Sequence, residues 1–203
     1  MILRKKGLLF VVSAPSGAGK TSLLKSILEE DPGLSVAVSQ TSRLPREGEV
    51  NGSSYYFTSK AEFENLIEED SFLEYALVHE NYYGTSKAEV ENKLKQGKHV
   101  ILEIDVQGAE QIKRKHHEAV LIFILPPSLA VLRERLENRK TDSQEVIELR
   151  IKNARVELEQ SVNFDYLVIN DNFEMAKSDL QCIFRAEELA VYRNQDILND
   201  ILY

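Results

Sequence analysis

The stretch Ala14-Pro15-Ser16-Gly17-Ala18-Gly19-Lys20-Thr21 decides the fold of this chain, and it follows directly after the apolar residues 8–12. Its small residues let the backbone curl, so that several N–H groups and the start of the next helix face one anion. Lys20 supplies a charge for the outer phosphates, and the Thr21 hydroxyl suits a Mg²⁺ ion, largely through water. An apolar strand before the stretch and a helix after it are the context that this motif requires. The sequence therefore predicts a loop, residues 14–21, that binds the polyphosphate of a nucleotide such as ATP.

The first position of this loop departs from the common pattern, because Ala14 stands where glycine is usual. A glycine there would allow a positive φ, which alanine adopts only at a cost. The methyl group of alanine is nevertheless the smallest side chain that could replace the hydrogen of glycine there. We expect the loop to tolerate it.

Length and charge narrow the class of protein. The 203 residues fit one domain with small insertions. The formal net charge of −8 argues against a nonspecific nucleic-acid binder, which needs a basic face. Positive groups that meet a phosphate must therefore be concentrated locally, and a small anion is the expected partner.

The single cysteine, Cys182, excludes a disulfide framework and a cysteine metal site, and it favours a reducing compartment. Its apolar helical surroundings predict a packed residue. The apolar segment near the amino terminus is too short for a signal-peptide core or a membrane span. We expect a cytoplasmic protein without a membrane partner.

Strands and helices alternate along most of the chain, which predicts an α/β fold with a parallel sheet covered on both faces. Ligands of such sheets bind at the carboxyl ends of the strands. From residue 34 to about 83 the pattern changes to short aromatic and β-branched runs broken by glycine and proline, which predicts a small, mostly-β insertion. The other predicted elements are helices over 22–30, 86–96, 107–116 and from 128, strands over 98–105, 119–125 and 166–169, and a terminal helix over about 173–197.

The insertion and the strand after it contain groups that suit a second phosphorylated ligand. They are Ser39, Arg43, Arg46, Tyr55, Glu74, Tyr83 and Asp105. Guanidinium groups grip a phosphate bidentately, and tyrosine hydroxyls can donate to its remaining oxygens. These residue types favour a monophosphate.

Carboxylates in the same place need a partner other than phosphate. A base edge with two adjacent N–H donors provides one, and guanine offers that edge at N1 and N2. Adenine presents a lone pair at N1, so a site of this kind rejects it. The residues thus favour GMP over AMP.

At these residues the chain resembles the guanylate kinases, in blocks that run in one order from residue 8 to about 192. The blocks are residues 13–20, 41–46, 48–52, 81–85, 103–108 and 168–171. The resemblance implies Mg²⁺-assisted in-line transfer of the γ-phosphoryl group of ATP to GMP, and to dGMP, by a P-loop nucleoside monophosphate kinase. It also implies a core (1–33, 97–132 and 160–203), a GMP-binding region (34–96) and a helical lid (133–159).

The resemblance also implies roles for individual residues. The GMP phosphate would meet Arg43, Arg46, Tyr55 and Tyr83, and the base would meet Ser39, Glu74, Thr85 and Asp105. The lid would bring Arg135, Arg139 and Arg150 to the ATP phosphates and the moving group, so that the catalytic set is Lys20, Arg43, Arg135, Arg139 and Arg150. The chain departs from many relatives at Asn138 and Lys140, where glycines are common, and at Ser42, where threonine is commoner.

Two other functions use the same scaffold. One is a non-catalytic guanylate-kinase-like module that binds phosphorylated or acidic peptides, and the other is a kinase of phosphorylated ribose. The intact loop argues against the first, and the carboxylates at Glu74 and Asp105 argue against the second. The sequence leaves a monomer and a homodimer equally open.

Overall fold

The computed structural model describes residues 6–78, 80–138 and 142–203. They form two units, one of Val12–Pro32 with Leu121–Tyr203 and one of Lys6–Val11 with Gly33–Val120. The strands are β1 (Leu9–Ser13), β2 (Leu34–Val36), β3 (Gln40–Thr41), β4 (Tyr56–Phe57), β5 (Phe72–Val78), β6 (Asn81–Ser86), β7 (His99–Glu103), β8 (Val120–Leu125) and β9 (Tyr166–Ile169). The helices are α1 (Lys20–Glu30), α2 (Lys60–Glu68), α3 (Lys87–Lys95), α4 (Val106–Lys115), α5 (Leu129–Asn138), α6 (Gln144–Gln160), α7 (Phe173–Leu189) and α8 (Gln195–Leu202).

Strand β1 is buried along its whole length, as expected for a central strand of a sheet covered on both faces. The strand order of its sheet is β2-β7-β1-β8-β9, and the pairs β2–β7 and β8–β9 are parallel. The predicted α/β fold with a parallel-sheet core is confirmed.

The first unit contains a small apolar core of its own between helices α5 and α6. It consists of Leu132, Leu136, Ile147, Ile151 and Ala154, with Leu129 packed against it. These residues recur at helical spacing on one face of each helix, which explains why the two helices pair. The predicted lid segment therefore carries two helices, α5 in part and α6, held by a shared apolar face.

The second unit contains a four-stranded sheet in the order β4-β3-β6-β5. Strands β5 and β6 are antiparallel, so that Glu74 faces Thr85 and Ala76 faces Tyr83. Helix α2 was not predicted. It begins with a capping box in which Ser59 and Glu62 each accept the other's backbone N–H, a local signature that the aromatic runs around it obscured.

The predicted terminal helix is wrong in its extent. Helix α7 ends at Leu189, because Ala190 adopts an extended backbone, and a separate helix α8 follows after a short 3-10 turn. The Asn194 side chain donates to the carbonyls of Glu188 and Ala190, both at 2.8 Å, and so satisfies acceptors that the helix end leaves open. Apolar spacing continues across this break, which is why periodicity did not reveal it.

Two further observations concern α7 and the chain as a whole. Cys182 is exposed on α7, so the prediction that it is packed is wrong. Among the described helices, none combines the length and the apolar character that crossing a membrane would demand. The division into core, GMP-binding region and lid stays a prediction.

Candidate active site

The predicted phosphate loop connects β1 to α1 in the first unit. Gly17 and Gly19 adopt φ values of 96° and 94°, a region that side chains disfavour. Helix α1 begins at Lys20, and its N-cap is Gly19, which has no side chain to cap the helix. Helix α1 thus begins directly after a backbone turn built from small residues. This arrangement is typical of phosphate-binding loops.

The alanine at the first loop position is compatible with this turn. Among the described residues, positive φ occurs outside glycine only at Asp70 and Glu80. Ala14 therefore has an ordinary backbone conformation, without the positive φ that would strain an alanine.

Asn170, directly after β9, hydrogen-bonds to the backbone of the phosphate loop. Its Nδ2 donates to the carbonyl of Ala18 at 2.7 Å, and its backbone N–H donates to the Leu125 carbonyl at 2.8 Å. A Cβ atom at Gly19 would lie 2.3 Å from Nδ2, so the amide occupies the space that a side chain would need. We did not predict Asn170 as a site residue, although it belongs to the family block 168–171 and lies at the carboxyl end of a strand.

Two of the three predicted lid arginines hydrogen-bond either to the phosphate loop or to Asn170, which binds that loop. Arg135 donates to the carbonyl of Asn170 at 2.9 Å, and Arg150 donates to the Ser16 hydroxyl at 3.0 Å. Arg150 also lies 3.5 Å from a carboxylate oxygen of Asp142. The third, Arg139, lies outside the described residues, as does Lys140.

The second unit brings the predicted phosphate-binding residues together around Arg43. The Nη2 atom of Arg43 donates to both carboxylate oxygens of Glu49, at 2.8 and 3.0 Å, and Nε donates to the Tyr83 hydroxyl at 3.2 Å. The guanidinium carbon lies 5.6 Å from the centre of the Tyr55 ring, and the two tyrosine rings meet edge to face at 5.9 Å. Burial raises the pKa of Tyr55, which keeps its hydroxyl available as a donor.

Glu49 is a second residue that we did not predict to act at the site. Besides its pair with Arg43, it accepts the backbone N–H of Arg46 at 2.7 Å, so one carboxylate fixes both arginine positions. The bond to Arg43 lowers the pKa of Glu49, which keeps it ionised. The three-residue spacing from Arg46 to Glu49 is the signal of such a turn.

Arg46 and Ser39 are less closely joined to this cluster. Arg46 is exposed, and its backbone contacts Glu49 as described; the Ser39 carbonyl accepts the N–H of Tyr56 at 2.9 Å. Within the described residues, neither side chain hydrogen-bonds to Arg43 or Tyr83. Both residues lie in loops of the second unit, Ser39 directly before β3 and Arg46 after it, and neither side chain is joined directly to the cluster.

The predicted base-reading residues form a second cluster in the same unit. The Thr85 hydroxyl donates to Glu74 at 2.7 Å, and Glu74 is only 3% exposed. Burial, and then the charge of Asp105, raise the pKa of Glu74 to about 7, against the hydrogen bond from Thr85, which lowers it. Asp105 caps α4 by accepting the N–H of Gly108 at 2.9 Å. The structure thus sets two carboxylates close enough to interact.

The residue that we predict to contact the metal expected with ATP is Thr21. Thr21 lies in the first turn of α1, next to the backbone turn of the loop, and its hydroxyl is a suitable oxygen donor. The described residues contain no group of three His, Cys, Asp or Glu side chains that could hold a metal ion by themselves. This donor set fits an ion that arrives with a nucleotide.

Comparison with known proteins identifies the family. A sequence model of guanylate kinase matches residues 6–187. The chain belongs to the guanylate kinase family. The guanylate kinase of Neisseria gonorrhoeae is 52% identical over 198 residues, which cover 98% of this chain and 97% of that protein. That of Caldanaerobacter subterraneus subsp. tengcongensis is 47% identical over 197 residues, with 97% and 96% covered.

A solved structure supports the same assignment to the guanylate kinase family. The crystal structure of guanylate kinase from Anaplasma phagocytophilum superimposes with a TM-score of 0.78 at 30% sequence identity, and it covers 93% of this chain and 90% of that one. The family resemblance inferred from the sequence blocks is confirmed. The roles of the individual site residues stay predictions.

The contact between Asn170 and Ala18 leads to a test of the loop. Replacing Asn170 with alanine leaves the buried Ala18 carbonyl without its donor, which costs about 1–3 kcal/mol, so we expect ATP affinity to fall by about tenfold or more. Titration calorimetry with ATP measures this change. Asn172→Ala is the control, since Asn172 caps α7 through the N–H of Met175 and does not hold the loop. Equal ATP affinities of the two variants would contradict the role of Asn170.

The raised pKa of Glu74 predicts how stability depends on pH. A carboxyl group whose pKa is higher in the folded state stabilises the fold fully below its ordinary value of 4.5, and this contribution is lost as the pH rises through about 7. We expect the free energy of unfolding of the wild type to fall by up to about 3 kcal/mol between pH 5 and 8, relative to Glu74→Gln. Urea denaturation across this range measures it. The exposed Glu91, which pairs with Lys95, provides the control Glu91→Gln. Parallel pH profiles of the wild type and Glu74→Gln would disprove the assignment.

Proposed function

We propose that this chain catalyses the transfer of the γ-phosphoryl group of ATP to GMP, giving ADP and GDP. The observation that carries the proposal lies in the second unit, where Tyr83, the partner of Arg43, and the buried Glu74 lie on the paired strands β6 and β5. A nucleoside monophosphate presents both chemical partners, a phosphate and a base. Membership of the guanylate kinase family supports the same reading.

The donor nucleotide is assigned to the loop of the first unit. The turn around Gly17 and Gly19 and the start of α1 suit the phosphates, and Lys20 adds a charge. Thr21 would hold the Mg²⁺ ion, largely through water, and the ion would neutralise charge on the outer phosphates. Arg150, which already contacts Ser16, is placed to approach these phosphates.

The acceptor phosphate is assigned to Arg43, Arg46, Tyr55 and Tyr83. Glu49 holds the Arg43 guanidinium before the substrate arrives, and a dianionic phosphate would compete with this carboxylate for the same N–H groups. Tyr83 donates its own hydroxyl proton while accepting from Nε of Arg43, so it can serve the phosphate without losing its support.

The base is assigned to Glu74, Asp105, Thr85 and Ser39. An ionised carboxylate accepts N–H groups only, so it suits the N1 and N2 edge of guanine and opposes the N1 lone pair of adenine. Because the pKa of Glu74 is about 7, guanine binding would also favour the ionised form. We infer that GMP affinity rises with pH through this range.

The reaction itself requires alignment more than covalent chemistry. A bond forms between phosphorus and an oxygen of the GMP phosphate while the bond to the bridging oxygen of ATP breaks, and charge spreads over the oxygens of the moving group. Arg43 would aim the acceptor, and the lid residues Arg135, Arg139 and Arg150 would neutralise the developing charge. Keeping the lid away until both substrates are bound suppresses attack by water.

The remaining assignments follow from this function. We assign residues 1–33, 97–132 and 160–203 to the core, 34–96 to GMP binding and 133–159 to the lid. A reducing compartment suits a protein whose one cysteine is exposed, so we place it in the cytoplasm. Either a monomer or a homodimer is compatible with these roles.

The acceptor is tested by comparing substrates in one ADP-release assay. We expect rapid turnover with GMP and dGMP, and a specificity for GMP over AMP of about 10⁴ or more, as for sites that leave polar groups unpaired with the wrong ligand. CMP, UMP and ribose phosphates complete the panel. Turnover with ribose phosphates above that with GMP would indicate a sugar kinase, and no turnover with any acceptor would indicate a binding module.

The donor site is tested with Lys20→Met. Removing this charge should lower kcat with GMP by roughly 10²–10³-fold, the range found when one electrostatic contact to a transition state is lost. Lys25→Met, an exposed change on the same helix, is the control and should leave kcat unchanged. Thermal unfolding of both variants should match that of the wild type. Near-normal GDP production by Lys20→Met would refute the assigned role.

A further inference from the structure

Gly108 lies in the first turn of α4, between the two carboxylates assigned to the base. It is buried, and its N–H donates to the Asp105 carboxylate at 2.9 Å. This bond fixes one carboxylate oxygen of Asp105 at the start of the helix. The residue thus contributes a donor to the first carboxylate.

The second carboxylate occupies the space beside its Cα atom. A Cβ atom at position 108 would lie 2.6 Å from Oε2 of Glu74 and 3.3 Å from its Cδ. Contacts below 3.0 Å require one partner to move. The Glu74 carboxylate therefore lies where any other residue would place its side chain.

Glu74 has little freedom to move away. Its Oε1 atom accepts from the Thr85 hydroxyl at 2.7 Å, and its side chain is buried. A Cβ atom at position 108 would also lie 3.1 Å from Cδ1 of Ile104. A larger residue at 108 must therefore displace either the carboxylate or the helix.

The backbone gives no reason for glycine at this position. Gly108 is not among the glycines with positive φ, which are Gly17, Gly19, Gly48, Gly52 and Gly97. Glycine inside a helix costs about 0.5–1 kcal/mol relative to alanine, so helix stability alone would favour alanine here. The remaining reason is the room that it leaves for Glu74.

We propose that Gly108 is a positioning residue that determines specificity for the base, because it seats Glu74 against its Cα atom and holds Asp105 through its N–H. This inference rests on the proposed function, in which the two carboxylates read the N1 and N2 edge of guanine. A base with a different edge gains nothing from this arrangement. Gly108 does not itself touch the substrate.

The test is Gly108→Ala, assayed with varied GMP and varied ATP. We expect KM for GMP to rise by about tenfold or more, since displacement of one carboxylate leaves a donor of the base unpaired, and KM for ATP to stay within about twofold. Gly97→Ala is the control: it places alanine at a φ of 80° in the same unit, away from Glu74. That variant should lose stability and keep KM for GMP.

A double-mutant cycle separates steric displacement from a general loss of structure. Glu74→Asp shortens the side chain by one methylene and withdraws its carboxylate from position 108. In this background the further change Gly108→Ala should raise KM for GMP by much less than it does in the wild type, whereas independent effects would multiply. If Gly108→Ala alone fails to fold, folding of the double variant supports the clash, and failure of both overturns the proposal.

The outcomes for this inference and for the proposed function differ. A wild type that does not phosphorylate GMP would remove the proposed function and the inference with it. A wild type that is active with GMP, together with an unchanged KM for GMP in Gly108→Ala, would overturn the inference alone. An equal rise of both KM values would also overturn it, because that result indicates a structural role only.

Discussion

The close approach of side chains to the backbone at residues 17–19 is the constraint on which the first unit depends. A Cβ atom at Gly17 would lie 3.0 Å from Leu132 on α5, and one at Gly19 would lie 2.3 Å from the amide of Asn170. The loop is therefore shaped by direct packing of α5 and of the end of β9 against the main chain. Because Arg135 donates to the carbonyl of Asn170, the same residue that holds the loop also holds an arginine of the predicted lid. Loop and helix positions are coupled by short contacts that only glycine permits.

The buried carboxylate at Glu74 is the corresponding constraint in the second unit, and it opposes stability. Moving a carboxylate out of water disfavours its charged form, and the nearby Asp105 adds repulsion, which together raise its pKa to about 7. One hydrogen bond from Thr85 offsets this only in part. An apolar residue facing Thr85 would avoid the cost, so the arrangement makes physical sense where a ligand supplies the missing donors. This is the expected behaviour of a site whose specificity comes from polar groups that are incomplete without the correct partner.

How far the sequence could predict these features depends on the distance along the chain between the groups involved. The loop was predictable, because its glycines, Lys20 and Thr21 all lie within residues 17–21, between an apolar strand and a helix. The α/β fold followed from the alternation of apolar runs. The family blocks contain Arg43 and Tyr83, and the family resemblance also implied a role for Glu74, which lies outside those blocks. The contact between Asn170 and Ala18 spans 152 residues and has no local pattern. The end of α7 depends on the backbone of Ala190 and on the Asn194 side chain, neither of which interrupts the apolar spacing.

The net charge of −8 raises the question of how such a chain can bind two anionic nucleotides. Three arginines of the predicted sites suggest an answer, since each is held by an oxygen acceptor of the chain: Arg43 by Glu49, Arg150 by Asp142, and Arg135 by a carbonyl. These acceptors fix the guanidinium groups in place, so less side-chain entropy is lost when a phosphate binds. The bond to Glu49 also raises the pKa of Arg43, which keeps the group fully charged. A ligand that binds the Arg43 guanidinium must displace the Glu49 carboxylate. It therefore needs a higher negative charge or a better geometric fit than that carboxylate. Under the proposed assignment of Arg43 to the GMP phosphate, a phosphate dianion would meet that condition and a neutral ligand would not, so Glu49 would select for phosphorylated substrates.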